Sequence, residues 1–182
     1  MRTNQVSEID GVRITQVNSF TDPRGTFIKL QPTQEFENSL DSVALSSNPK
    51  LGTIRGLHFQ VEPFAEEKLV TCIQGAIFDV IVDLRPNSKT VAKWFSFELS
   101  AENALQVYLP KGIAHGFQTL MPDSILHYSL SSAYSPNSSY SIAPYGDLDI
   151  DWPLKDYSIS EKDSSGLSIS IAVQKYADSL KS

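Results

Sequence analysis

The 182-residue chain has one cysteine, three histidines and two tryptophans. It has no unbroken apolar run near the roughly 18 residues of a membrane-crossing helix. A lone Cys72 excludes an internal disulfide, and its β-branched, apolar neighbours mark it as a buried small hydrophobe rather than a nucleophile. Basic residues are in deficit, with 15 Lys and Arg against 21 Asp and Glu and a net charge of -6. That balance excludes a whole-chain footprint for DNA or RNA, so any anionic ligand must be held by a local cluster of cations. No charged segment followed by an apolar stretch opens the chain, and the expectation is a cytoplasmic protein with no membrane partner. The length suits one domain over residues 1–182, with a core at about 22–135 and a C-terminal loop and helix at 136–182.

Long helical patterns are also scarce, and short period-2 segments take their place. Strands are expected at Val12 to Val17, Thr26 to Leu30, Ser42 to Ser46, Lys68 to Gln74, Ala76 to Leu84 and Val91 to Leu99. Others follow at about Gln106 to Leu109, Gly116 to Leu120 and Ser124 to Ser131. The clearest puts Phe78, Val80, Val82 and Leu84 on one face and Asp79 and Asp83 on the other. Turn signals recur between them at Asp22-Pro23-Arg24-Gly25, Pro49-Lys50-Leu51-Gly52 and Arg85-Pro86-Asn87-Ser88. This spacing predicts an all-β sandwich or small barrel. Pro136 to Ser168 reads as an ordered excursion anchored by Tyr140, Tyr145, Trp152 and Tyr157. Ile169, Val173, Tyr176 and Leu180 predict a short amphipathic helix at the end.

Chemistry concentrates in Arg55-Gly56-Leu57-His58-Phe59-Gln60 and Lys68, cations beside a proton-transfer group in an acidic chain. His58 has no histidine near it and position 60 is Gln, so a mononuclear metal site of the cupin kind is not expected. His127 and Tyr128 are adjacent on a strand and leave opposite faces; if Leu126 and Leu130 point inward, so does Tyr128. Arg55 and His58, three apart, would lie on opposite faces of a regular strand. Both can reach one ligand only if Gly56 permits a bulge.

These segments, with Phe78-Asp79-Val80-Ile81-Val82-Asp83-Leu84-Arg85, Pro110-Lys111-Gly112-Ile113-Ala114-His115-Gly116-Phe117, Tyr128, Tyr134-Ser135-Pro136, Asp151-Trp152-Pro153-Leu154 and Ser160-Glu161-Lys162-Asp163, resemble the dTDP-4-dehydrorhamnose 3,5-epimerase family in residue type and order. The resemblance implies a cupin-like double-stranded β-helix, or jelly roll, with short peripheral helices. It also implies a homodimer, no catalytic metal or cofactor, and a nucleotide-linked 4-keto-6-deoxysugar as substrate. By the same resemblance His58 is the general base, oriented by Asp163. Lys68 stabilises the enolate oxygen, and Tyr128 donates a proton from the opposite face. Tyr134 lies against the sugar and Gln60 counts among the substrate-binding positions. Arg24, Arg55 and His115 hold the diphosphate or nucleotide, with Arg24 and Phe27 reaching across the dimer.

Pattern alone reads these residues more plainly. Lys68 would be an edge lysine, Tyr134 a loop anchor, Asp163 a turn cap, and Lys111 part of a hairpin turn with no site role. The chain departs from the family at Lys29, where a glutamate is usual, and in the altered Pro136 to Asp147 segment. Val43 and Leu45 stand where a Gln and an Asn contact the nucleotide. Losing such groups leaves thymine's edges unpaired at about 1 to 3 kcal/mol per buried group, which argues against dTDP as carrier. The leading expectation is a sugar-nucleotide epimerase of deoxysugar biosynthesis inverting C3 and C5. The alternatives are a mono-epimerase, at C5 or C3 only, on a CDP- or GDP-linked sugar, a 3,4-ketoisomerase, a non-catalytic sugar-nucleotide-binding cupin and a metal cupin.

Overall fold

The turn residues that divide the sequence into short apolar segments divide the computed structural model into strands, over residues 8–30, 36 and 40–181. Among these, β1 (Arg13–Gln16), β2 (Asn18–Asp22), β3 (Gly25–Lys29), β4 (Ser42–Asn48), β5 (Ile54–Gln60) and β6 (Lys68–Gln74) are followed by β7 (Ala76–Asp83), β8 (Trp94–Ser100), β9 (Leu105–Leu109), β10 (Ile113–Thr119), β11 (Ser124–Leu130) and β12 (Ser139–Ser141). Two helices close the order, α1 (Glu161–Ser164) and α2 (Ile169–Ser179).

The chain from β4 to β11 is one long antiparallel ribbon, β4 with β11, β5 with β10, β6 with β9 and β7 with β8. Rolling it sends alternate pairs to opposite sheets, ordered β1-β9-β6-β11-β4 and β12-β5-β10-β7-β8. That is the jelly roll, and the predicted all-β class holds. The hairpin β2–β3 forms its own two-stranded sheet.

Two apolar clusters fix which residues face the interior. Between the sheets, Val70, Cys72, Val107 and Leu126 meet Ile77, Ile81, Ile113 and Phe117. Outside the second sheet, Leu57, Phe59, Val80, Val82 and Leu84 pack under Trp152, Ala172 and Tyr176 of the C-terminal segment. β7 is therefore covered on both faces, and the face carrying Asp79 and Asp83 is the inner one; both carboxylates are fully buried. Burial pushes the Cys72 thiol up to about 11, in line with the inert role read for it.

Some boundaries differ from the sequence reading. β8 starts at Trp94 because Val91 to Lys93 turn through Ala92, at φ 62°. The excursion buries Trp152, whereas Tyr145 and Tyr157 stack on each other at its surface, centroids 4.8 Å apart. In α2 the buried residues are Ala172 and Tyr176, and Leu180, at the C-cap, is 51% exposed.

Candidate active site

At one end of the barrel polar side chains enter the inward rows, and a cavity of about 320 Å³ opens there. On the first sheet the row Cys72, Val70 continues to Lys68 on β6, and the row Leu126, Tyr128, Leu130 runs beside it on β11. On the second, His58 and Arg55 of β5 and His115 of β10 complete the wall. The parity that sends Tyr128 inward is as expected, and His127 points away from the cavity. The cavity thus has His58 on one sheet and Tyr128 with Lys68 on the facing one.

His58 and Arg55 share the cavity because β5 is bulged. His115 pairs with His58 and Phe117 with Arg55, so two steps on β10 match three on β5. The extra residue lies beside Gly56, whose φ is 98°. A Cβ there would sit 2.6 Å from the His115 carbonyl oxygen, so the position requires glycine.

Helix α1 supplies Asp163. Its cap Ser160 accepts a hydrogen bond from the Asp163 amide, which turns the carboxylate toward β5. There Oδ2 accepts from the Gly56 amide at 3.1 Å and Oδ1 from His58 Nε2 at 2.7 Å. Burial alone would raise the Asp163 carboxyl. The hydrogen bond and charge of His58, with the Gly56 amide and Ser160, outweigh it and hold the group below the usual carboxylate value. A neutral histidine donating from Nε2 keeps its accepting lone pair on Nδ1, so this arrangement can serve as an oriented base.

Opposite it, Lys68 Nζ donates to the His58 carbonyl oxygen at 3.2 Å and lies 3.2 Å from Glu66 Oε1. The Tyr128 and His115 rings meet in a T-shaped arrangement, centroids 6.0 Å apart. Burial, and then the charge on Asp79, pushes its phenol well above the ordinary value, so it stays protonated at neutral pH. His115 Nε2 donates to Asp79 Oδ1 at 2.7 Å, a second imidazole–carboxylate pair under the floor. Burial raises the Asp79 carboxyl against the pull of His115 and Lys68.

Gln60 reaches the cavity wall but is bound on all sides. Its amide donates to Phe64, Ala133 and Glu66, and its carbonyl accepts from the Ser135 amide at 2.7 Å. It therefore holds the loop that sets Tyr134 at the mouth. Arg24 and Phe27 are not brought to the cavity. Arg24 pairs with Asp22 at 2.6 Å on the β2–β3 hairpin. Phe27 faces Phe20 across the same hairpin, the two rings 66% and 61% exposed. Val43 and Leu45 also lie off the cavity, 55% and 65% exposed on the outer face of β4. Ala44 and Ser46 are the β4 residues that line it.

A family model described as dTDP-4-dehydrorhamnose 3,5-epimerase matches residues 6–170. The chain belongs to this family. A dTDP-4-dehydrorhamnose 3,5-epimerase of Sinorhizobium fredii is 41% identical over 88% of this chain and 86% of its own. The crystal structure of the Bacillus anthracis dTDP-4-dehydrorhamnose 3,5-epimerase, with TDP and pyrophosphate bound, superposes with a TM-score of 0.81 at 37% identity, covering 86% of this chain and 93% of that one. That of a Legionella pneumophila dTDP-6-deoxy-D-glucose-3,5-epimerase, in complex with dTDP-4-keto-L-rhamnose, gives 0.84 at 33% identity over 91% of both chains.

In this member of the dTDP-4-dehydrorhamnose 3,5-epimerase family, four contributors escaped the sequence reading. Asn48 is buried and accepts from Arg55 Nε at 2.7 Å, aiming the guanidinium. Asp79 holds His115, and Glu66 contacts Lys68. Lys162 lines the mouth. Asn48 alone had no visible signal: Glu66 is an acid two residues before Lys68, Asp79 lies inside the Phe78-Asp79-Val80-Ile81-Val82-Asp83-Leu84-Arg85 segment, and Lys162 lies inside the Ser160-Glu161-Lys162-Asp163 motif.

Proposed function

We propose that the chain is an isomerase of the carbohydrate-epimerase type, acting on a dTDP-linked 4-keto-6-deoxysugar and inverting carbons 3 and 5. The observation that carries this reading is the placement of the His58–Asp163 pair on one sheet and Tyr128 with Lys68 on the other, around one cavity. A C–H beside a ketone is too weakly acidic for a neutral imidazole unless the developing enolate is stabilised. His58 Nδ1 takes the proton, the C–H electron pair becomes the new C=C bond, and the carbonyl pair moves to oxygen beside the Lys68 ammonium. Collapse of the enolate returns the double bond to oxygen while Tyr128 delivers a proton from the other face. The products are the inverted carbon, His58 imidazolium and Tyr128 phenolate, which re-equilibrate with water. Nothing is oxidised or reduced, so no redox cofactor enters the balance.

dTDP is the carrier in this reading. Family membership supports it, and Val43 and Leu45, which argued against thymine, lie outside the chain's own cavity. Arg55, held by Asn48, and Lys162 supply cations for the diphosphate, and His115 lines the same wall. Tyr134 lies against the sugar.

The functional unit is a homodimer. An isolated two-stranded hairpin is marginal in water, and β2–β3 exposes its Phe20–Phe27 pair and Arg24. A second copy offers the surface they need and brings Arg24 and Phe27 to its partner's site. The protein works in the cytoplasm; no helix among the described residues is long and apolar enough to cross a membrane.

The test is proton NMR of the products formed from dTDP-4-keto-6-deoxyglucose, where ring coupling constants report inversion at each carbon. Change at carbons 3 and 5 supports the double epimerase. Change at one carbon makes it a mono-epimerase, and an unaltered sugar contradicts the reading.

A further inference from the structure

The ammonium of Lys68 has three N–H donors and two fixed acceptors, and the acceptors decide where the third points. One is the His58 carbonyl oxygen at 3.2 Å; the other is Glu66 Oε1, also at 3.2 Å. The Lys68 and Glu66 side chains are only 8% and 11% exposed, so little water competes for either. Glu66 is itself held, because its Oε2 accepts from Gln60 Nε2 at 3.2 Å, and Gln60 is fixed by Ser135. From these contacts we infer that Glu66 is a positioning residue: it holds Lys68 so that its uncommitted N–H is directed at the substrate's ketone oxygen. The inference rests on the enolate reading of the site.

Two features favour aim over mere packing. A lysine has a flexible four-carbon stem, and a donor that must meet a developing enolate gains from having one direction rather than several. The carboxylate also offsets the cost of holding an ammonium away from water. It lines the same cavity wall as Lys68 and meets its ammonium at 3.2 Å, so it anchors the cation.

Steady-state kinetics on E66A, E66Q, K68A and E66A/K68A, with thermal melts to confirm folding, test this. E66A is expected to lower kcat about 10- to 100-fold with KM within about 3-fold of the unmodified protein. In E66Q the carbonyl still accepts from Lys68. Gln60 keeps two acceptors, Phe64 and Ala133, for its two N–H groups, so E66Q recovers most of the rate. In a K68A background E66A changes the rate less than about 2-fold, because the residue it serves is gone. An E66A loss that persists undiminished on K68A, an E66A enzyme as fast as the unmodified protein, or an E66Q as slow as E66A each overturns the inference. Unmodified protein that turns nothing over overturns instead the reading beneath it.

Discussion

His58 Nε2 meets Asp163 Oδ1 at 2.7 Å across 105 residues of sequence, and the same carboxylate's second oxygen grips the Gly56 amide at the bulge that turns His58 inward. One side chain thus fixes both the orientation of the imidazole and the backbone beneath it.

Asp163→Asn should therefore lower kcat about 100-fold or more, since an amide does not hold the imidazolium that forms. Stability carries a matching pH signature. The folded-state value of Asp163 lies below its unfolded one, so the unfolded chain takes up the proton first. The stabilisation is complete above the ordinary carboxylate range and is lost as pH falls through the lowered value. Melting curves of the two proteins should differ at neutral pH and converge in acid.

Tyr128→Phe should separate removal of the proton from its return. With His58 and Lys68 intact, the variant should still exchange substrate protons with D2O while forming almost no inverted product. NMR of the recovered sugar checks both. Burial keeps the phenol protonated, so the unmodified enzyme's activity should show no loss from Tyr128 ionisation below about pH 10.

Gly56→Ala should cost at least about 2 kcal/mol in urea unfolding, because the new methyl meets backbone on β10 that has nowhere to move. Loss of activity should accompany it, since the bulge places both Arg55 and His58.

His115→Ala should destabilise the fold more than Asp79→Asn. The first leaves a fully buried carboxylate without its partner, at about 3 to 5 kcal/mol. The second removes the charge, and Asp79 Oδ2 already lacks a hydrogen-bond partner. Chemical denaturation of the two variants and of the double variant ranks them.

Alternation along β6, β7 and β11 was legible, and with it the inward direction of Tyr128. So was the conflict between Arg55 and His58, whose resolution at Gly56 needed only the turn freedom of glycine. Alternation is silent where both faces are covered. In β7 the carboxylates face the interior, because the C-terminal excursion supplies a second apolar layer that no local pattern announces. The same limit applies to Asn48 and Asp79, which act through partners distant in sequence. β12 and α1 are too short to show a period, and they form because residues far from them offer an edge and a carboxylate's partner. Val43 and Leu45 take the outer face of β4, which a position in a motif does not announce.

The most direct measurement is time-resolved NMR of dTDP-4-keto-6-deoxyglucose in D2O with the unmodified protein and with His58→Asn. The account predicts deuterium at carbons 3 and 5 with the unmodified protein and loss of exchange by at least about 100-fold in the variant, with dTDP binding retained. Exchange that survives His58→Asn at an undiminished rate would contradict it.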